Sequence, residues 1–408
     1  MNYLQFQLRQ LVQRMWFLPA AFSVLAVVTI VVAYSLAGYL PEELPFVMPE
    51  NAVQSILEIL ATSLLTVAVF ALSTVVSALS AASSSTTPRA VPLISGDLQA
   101  QTSISVFIGA FLFAIVGIIG LSAGFYSEAG RLFLFGVTLL VVVLVVAALI
   151  RWIGQISAIG RVGNTINAVE KATRNSVQAL IDLPLLNCRA LRSEPKGEPI
   201  HAPQVAYVQY CNTNQLQGLA EKHDLVVSIL SRPGAYATPD RPLMVVEGNL
   251  DDAKREALLD CFKLGDSRTY DADPRYGFVV LGEIADRAMS ASINDPGTAI
   301  DVIDTATRLF LDWHDGDSEG DNDRVFVAPL SPQDMLEDFF RPIARDGAGT
   351  IEVMIRMQKS LEVLAARNGY FREAARYMAE DALWRAERAM VAPNDLAAIR
   401  HAAGWLKG

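Results

Sequence analysis

The sequence predicts a membrane α-helical fold with four transmembrane helices, followed by a cytoplasmic α+β region that becomes all-helical towards the C-terminus. Three observations carry this. Of 408 residues, 52% are hydrophobic and only 19% charged, against about a quarter charged in a soluble domain. The deficit is uneven, since residues 101–150 hold two charges, Glu128 and Arg131. Finally, four apolar stretches in the first 153 residues are long enough to cross a bilayer, which takes roughly 20 residues. An ordinary soluble enzyme, a disordered chain and a disulfide scaffold are thereby excluded. The net charge of −10 argues against nucleic acid as a partner, because phosphate binding needs a basic face.

The expected spans run over about 15–40, 53–82, 103–126 and 132–153, and together they form a transmembrane domain, residues 1–153. The first is too long for a cleaved signal. Arg9 and Arg14 precede it, Arg89 lies between the second and third spans, and Arg151, Arg161, Lys171 and Arg174 follow the fourth. The other loops carry Glu42, Glu43, Glu50 and a single Arg131. By the bias of Lys and Arg toward the cytoplasm, both termini are expected there. Trp16, Tyr34, Tyr39, Tyr126 and Trp152 stand near span ends, where interfacial aromatics belong.

The second span differs from the rest. On a helical wheel, Ser55, Glu58, Thr62, Ser63, Thr66, Ser73, Thr74, Ser77 and Ser80 occupy less than half the circumference, opposite Leu57, Leu60, Leu64, Val67, Ala71, Val75 and Leu79. Within lipid such a face must meet protein or water, and an intramembrane carboxylate is a functional signal. Glu58, Thr62, Thr66, Ser73, Ser77 and Ser80 are therefore candidate pore-lining residues. The competing reading is dry helix packing through small residues. In the third span Gly117 and Gly124, one heptad apart, point to close packing.

Beyond the fourth span, residues 154–187 read as a helical connector stopped by Pro184. Residues 188–203, with Pro195, Gly197 and Pro199, read as a linker opening a small α+β module, 188–265. Its expected strands are Val205–Tyr210, Leu225–Leu230 and Pro242–Glu247, with helices over Asn214–His223 and Asp251–Phe262 and a turn at Arg232-Pro233-Gly234. The remainder, 266–408, reads as mainly helical: Phe278–Met289, Thr298–Trp313, Pro332–Ile343, Thr350–Ala366 and Tyr370–Met390. Between the first two lies an elbow. Asn294 or Asp295 there is a natural helix cap and Pro296 suits a first turn; with Ser290 they form a candidate ligand-binding elbow. Asp315, Asp317 and Glu319 match alternate positions of a calcium loop. Its twelfth position is Phe326 instead of Glu, and the following segment reads as a strand, which favours a solvated loop over a metal site.

Cys188, Cys211 and Cys261 follow the last span, and no disulfide or zinc knuckle is expected. No Walker loop, nucleophile elbow, HExxH or dinucleotide fingerprint occurs. Asp271, Asp273, Glu283, Asp286 and Asp295 have no spacing that indicates a reaction, so neither enzyme activity nor a cofactor is expected.

Several stretches are shared with a known family: Trp16-Phe17-Leu18-Pro19, Thr87-Pro88-Arg89 with Asp97 and Gln101, Val106-Phe107-Ile108-Gly109-Ala110-Phe111, Ala206-Tyr207-Val208-Gln209, Pro233-Gly234-Ala235-Tyr236, and Ala288 through Ala299 with its Asn294-Asp295-Pro296 core. In these the chain resembles the bacterial predicted-membrane-protein family called domain of unknown function 2254. Ala291 departs from it, standing where the family has proline. The resemblance implies four spans and a cytoplasmic C-terminal region in the bacterial inner membrane, and it implies no activity. The residues themselves favour an oligomeric channel- or transporter-like protein, a homo-oligomer in the lipid bilayer passing ions along the second span. The alternative is a membrane-anchored sensor or scaffold whose cytoplasmic region binds a small ligand or protein partner, with the elbow and Asp266–Arg275 as contact region.

Overall fold

The computed structural model describes residues 50–95, 98–124, 126, 128–156, 161–313 and 319–407, with scattered positions between 17 and 31. The chain divides into two compact units, Met1–Asn164 and Thr165–Gly408.

In the first unit, α1 spans Glu50–Ser85, α2 Val91–Ser95, α3 Leu98–Ser122 and α4 Glu128–Ile156. Three of these helices are long and apolar enough to cross a membrane, over Asn51–Ser84, Thr102–Ser122 and Gly130–Gly154. The first of the four expected spans falls almost wholly outside the described residues. The third ends at Ser122 instead of 126 because Gly124 takes a left-handed backbone (φ +69°), which terminates a helix.

Helix α1 packs along α3, and α3 along α4. Val53, Leu57, Ala61, Leu64, Ala68, Ala71 and Val75 are buried at successive three- and four-residue steps, on one stripe of α1. Gly117 admits Leu57, whose Cδ1 would stand 3.1 Å from an added Cβ, and Gly120 lets the ring of Tyr126 lie on the helix, where a Cβ would come within 2.6 Å of it. Gly124 packs against nothing and serves the turn alone. Tyr126 and Trp152 are buried within the unit rather than displayed at its ends. Trp152 sits edge-on to Phe70 and Phe107, with ring centres 6.0 and 6.5 Å away.

The second unit begins with the amphipathic helix α5 (Val162–Asp182), its first residues shared with the boundary. Two sheets follow. The larger has the order β1-β8-β4-β6-β2, formed by Cys188–Ala190, Asn322–Val327, Val226–Ile229, Pro242–Glu247 and Glu198–His201. In it β8 runs parallel to both β1 and β4, while β6 is antiparallel to β4 and β2. The smaller sheet is β5-β3-β7, formed by Tyr236–Ala237, Ala206–Cys211 and Phe262–Gly265, all antiparallel. Helices α6 (Thr213–His223) and α7 (Asp252–Leu259) complete this part, and α6 packs on β8.

Several expectations are corrected here. Residues 188–203 are not a linker; they hold β1 and β2, both at sheet edges, where Pro199 removes no central ladder bond. Phe262 starts a strand instead of ending a helix. β8 lies beyond the boundary drawn at 265, yet it stands inside the larger sheet between β1 and β4, so the α+β module and the helical region are one unit. That helical region comprises α8 (Pro274–Ala288), α9 (Pro296–Leu311), α10 (Pro332–Asp346), α11 (Ile351–Arg367), α12 (Arg372–Ala389) and α13 (Pro393–Ala402). An aromatic core joins α8, α9 and α10 with the turn before α12: Phe278 stacks on Phe310 at 3.9 Å between ring centres, with Phe339, Phe340 and Phe371 around Phe310.

Candidate functional site

Two places gather chemistry that the fold alone does not require. The first is the outer face of α1. Glu58, Thr62, Thr66, Ser73, Ser77 and Ser80 are all exposed among the described residues, diametrically opposite the buried stripe. Among the described residues it is the opposite stripe, not this face, that packs against the neighbouring helices. Thr62, Thr66 and Ser73 donate to the carbonyls of Glu58, Thr62 and Val69, at 2.9, 3.2 and 2.9 Å. Each hydroxyl proton is thus used inside the helix, and the oxygen lone pairs remain outward as acceptors. Glu58 accepts from Gln54 Nε2 at 2.9 Å. The face is not wholly polar, since Ile59, Val69 and Phe70 interrupt it.

The second place is in the C-terminal unit, where three separate stretches converge. Asp273 caps α8, accepting from Tyr276 N, and takes the Nε of Arg268 at 2.7 Å. The carboxylate is 3% exposed. Burial pushes its pKa up, and Arg268 pulls against that. Against it lies Gly234, whose left-handed φ of +93° and missing side chain are both required: a Cβ would stand 2.2 Å from Asp273 Oδ2. The Gly234 loop is tied to β3 by Gly234 N to Val208 O and Val208 N to Ala235 O, at 2.8 and 3.0 Å. Segment 266–273 is tied to the same strand by Gln209 Nε2 to Ser267 O at 2.9 Å. Arg232 begins this loop and donates from Nη1 to Ala328 O, just past β8, at 2.7 Å. Desolvation lowers its pKa to about 10, opposed by Tyr370, Cys188 and Asp273 at longer range. Arg275 leaves the cluster for α10, pairing with Asp338 and Asp334 at 2.7 and 3.4 Å.

The sequence singled out Asp266–Arg275 as a contact region but read Arg232 only as part of a turn. An arginine one residue beyond the apolar run Leu225–Leu230, and directly before Pro233-Gly234, is the local signal that marks it.

The elbow is built as a cap. Asp295 accepts from Thr298 N and Thr298 Oγ1, at 3.1 and 2.7 Å, which holds its carboxyl below the usual range. Asn294 is left-handed (φ +49°), Ser290 donates to Arg287 O at 2.7 Å, and Pro296 opens α9. All of residues 291–295 are exposed. Asp315 and Asp317 lie outside the described residues, while Glu319 is engaged by Arg189 and Arg192, at 2.5 and 3.7 Å. Among the described residues no group of His, Cys, Asp or Glu is arranged to hold a metal. The five acids weighed as a cluster are put to different uses: Asp273 and Asp295 cap helices, and Asp286 lies with Asp346 and Arg345. The three cysteines share one hydrophobic core, and burial raises each thiol, Cys188 to about 11 and Cys261 to about 12.

A family model described as a predicted membrane protein (DUF2254) matches residues 12–363. No curated protein matches the chain, and no solved structure does.

Proposed function

From the premise that the chain belongs to the DUF2254 family of predicted membrane proteins, we propose that it acts as an oligomeric, channel- or transporter-like protein. Copies would assemble so that the polar faces of α1 line a shared path. One observation carries this reading: the polar residues of α1 point away from its packing partners among the described residues. A face of this kind is costly against lipid tails and is served by water or by a like face. The outward hydroxyl oxygens are acceptors, and Glu58 adds a carboxylate, so the path would favour cations over anions.

Reconstituted full-length protein in liposomes tests it. The expected result is cation flux that Glu58→Gln makes less selective and Thr66→Val reduces. A folded preparation that shows no flux, or flux indifferent to both substitutions, would overturn it.

A further inference from the structure

We propose that Arg232 is the anchor of a binding site for a small oxyanion, a phosphate or carboxylate group, at the carboxyl end of the parallel strands β4 and β8. This is independent of whether the membrane unit conducts. The first observation is a charge imbalance. Arg268 and Arg232 share the surroundings of a single buried carboxylate, Asp273, and Arg268 alone forms its ion pair. Arg275 takes its carboxylates from α10. Among the described residues Arg232 forms no ion pair, and its one hydrogen bond there goes to a neutral carbonyl. A partly desolvated cation without a charged partner loses hydration that nothing in the protein replaces. It does not escape the cost by losing its proton, because a pKa of about 10 leaves it charged at neutral pH.

The second observation is the direction of the free donors. Arg232 is partly buried, yet neither Nε nor Nη2 is among the sealed, unsatisfied atoms of the described residues. Those two N–H groups therefore reach accessible space on the side away from Ala328. They form one edge of the guanidinium fork, which matches two oxygens of a carboxylate or phosphate. The third observation is place. Arg232 follows β4 and Ala328 follows β8, and these strands run parallel. Carboxyl ends of parallel strands are where open α/β sheets bind ligands. Gly234 keeps the loop low enough for Asp273 to hold its far side, so the fork is positioned before any ligand arrives.

The test uses full-length protein in detergent and reads the melting temperature at fixed ionic strength, exchanging chloride for inorganic phosphate in one arm and for acetate in another. A saturable rise is expected in at least one arm, reaching roughly 2–4 °C at about five times the Kd; which arm responds identifies the oxyanion. Arg232→Met should abolish that rise and leave the melting temperature in chloride unchanged or higher, since it removes an unpaired, partly desolvated charge. Arg232→Lys should keep only part of the rise, because an ammonium has no fork. Wild-type protein that responds to neither anion overturns the site. So does an equal response in Arg232→Met, or a lower melting temperature of Arg232→Met in chloride, which would make the Ala328 bond the residue's role. If Arg232→Met does not fold, the wild-type and Arg232→Lys arms decide alone.

Discussion

Asp273 does three things with one carboxylate: it caps α8, it balances Arg268, and it fills the space that Gly234 leaves open. Removing it leaves Arg268 uncompensated and α8 uncapped. Asp273→Ala should therefore destabilise the C-terminal unit by about 3 kcal/mol or more, read as a lower urea midpoint. Gly234→Ala meets the same carboxylate from the other side and must also adopt a left-handed φ. A loss of about 2 kcal/mol is expected by the same measurement. Asp286 offers a pH-dependent counterpart. Desolvation and a hydrogen bond shared with Asp346 raise its pKa to about 7, while Arg345 and Asp286 lower that of Asp346 to about 2. The folded state thus holds the Asp286 proton more tightly than the unfolded chain does. The stability this supplies is full below the ordinary value of 3.8 and is lost as pH rises through about 7. Asp346 works in the opposite sense and only at its own lower range, losing its contribution as pH falls from 3.8 through about 2. Between pH 5 and 8 Asp286 governs. Asp286→Asn, which keeps a donor and cannot ionise, should flatten the fall in melting temperature over that window.

At the scale of elements, the sequence is informative wherever a pattern repeats for several turns. The spans of α1, α3 and α4, the amphipathic helices, and the cap at Asp295 are written in local spacing and side-chain chemistry. β1 and β2 were not legible, because strands of three and four residues, with Pro195 and Gly197 between them and Pro199 inside the second, carry no period to read. β7 was hidden because Phe262 continues the apolar rhythm of the preceding helix. The wheel of α1 revealed a polar sector but not its direction, which α3 and α4 decide by taking the opposite side. The Arg232 site was the least legible, since its parts come from 232–234, 268–273 and 328 and meet only in the folded unit. Glycine marks the tightest approach of the membrane helices. Gly120→Val would drive a branched side chain into Tyr126 and should cost about 1–3 kcal/mol, seen as earlier thermal aggregation in detergent. Gly124→Ala meets no neighbour but must adopt φ +69°, so its effect should be confined to the turn between α3 and α4.

For the whole molecule, the placement of β8 matters most. Residues 188–265 contain every strand of the described residues except the one that joins β1 to β4. Expressed alone, that segment should lack cooperative unfolding and expose the thiols of Cys188 and Cys211 to labelling within minutes. In the intact chain the same thiols, buried and held protonated, should react only on global unfolding. Labelling of intact protein at the rate of the fragment would show that the sheet does not depend on β8.

That same strand imposes a timetable on biosynthesis. β4 leaves the ribosome about 100 residues before β8 is complete, a wait of roughly 5–20 s at ordinary translation rates. Throughout it, β1 and β4 carry unpaired edges, and those edges are templates for the wrong partner. Nascent chains stalled before residue 322 should therefore be the species that chaperones hold longest.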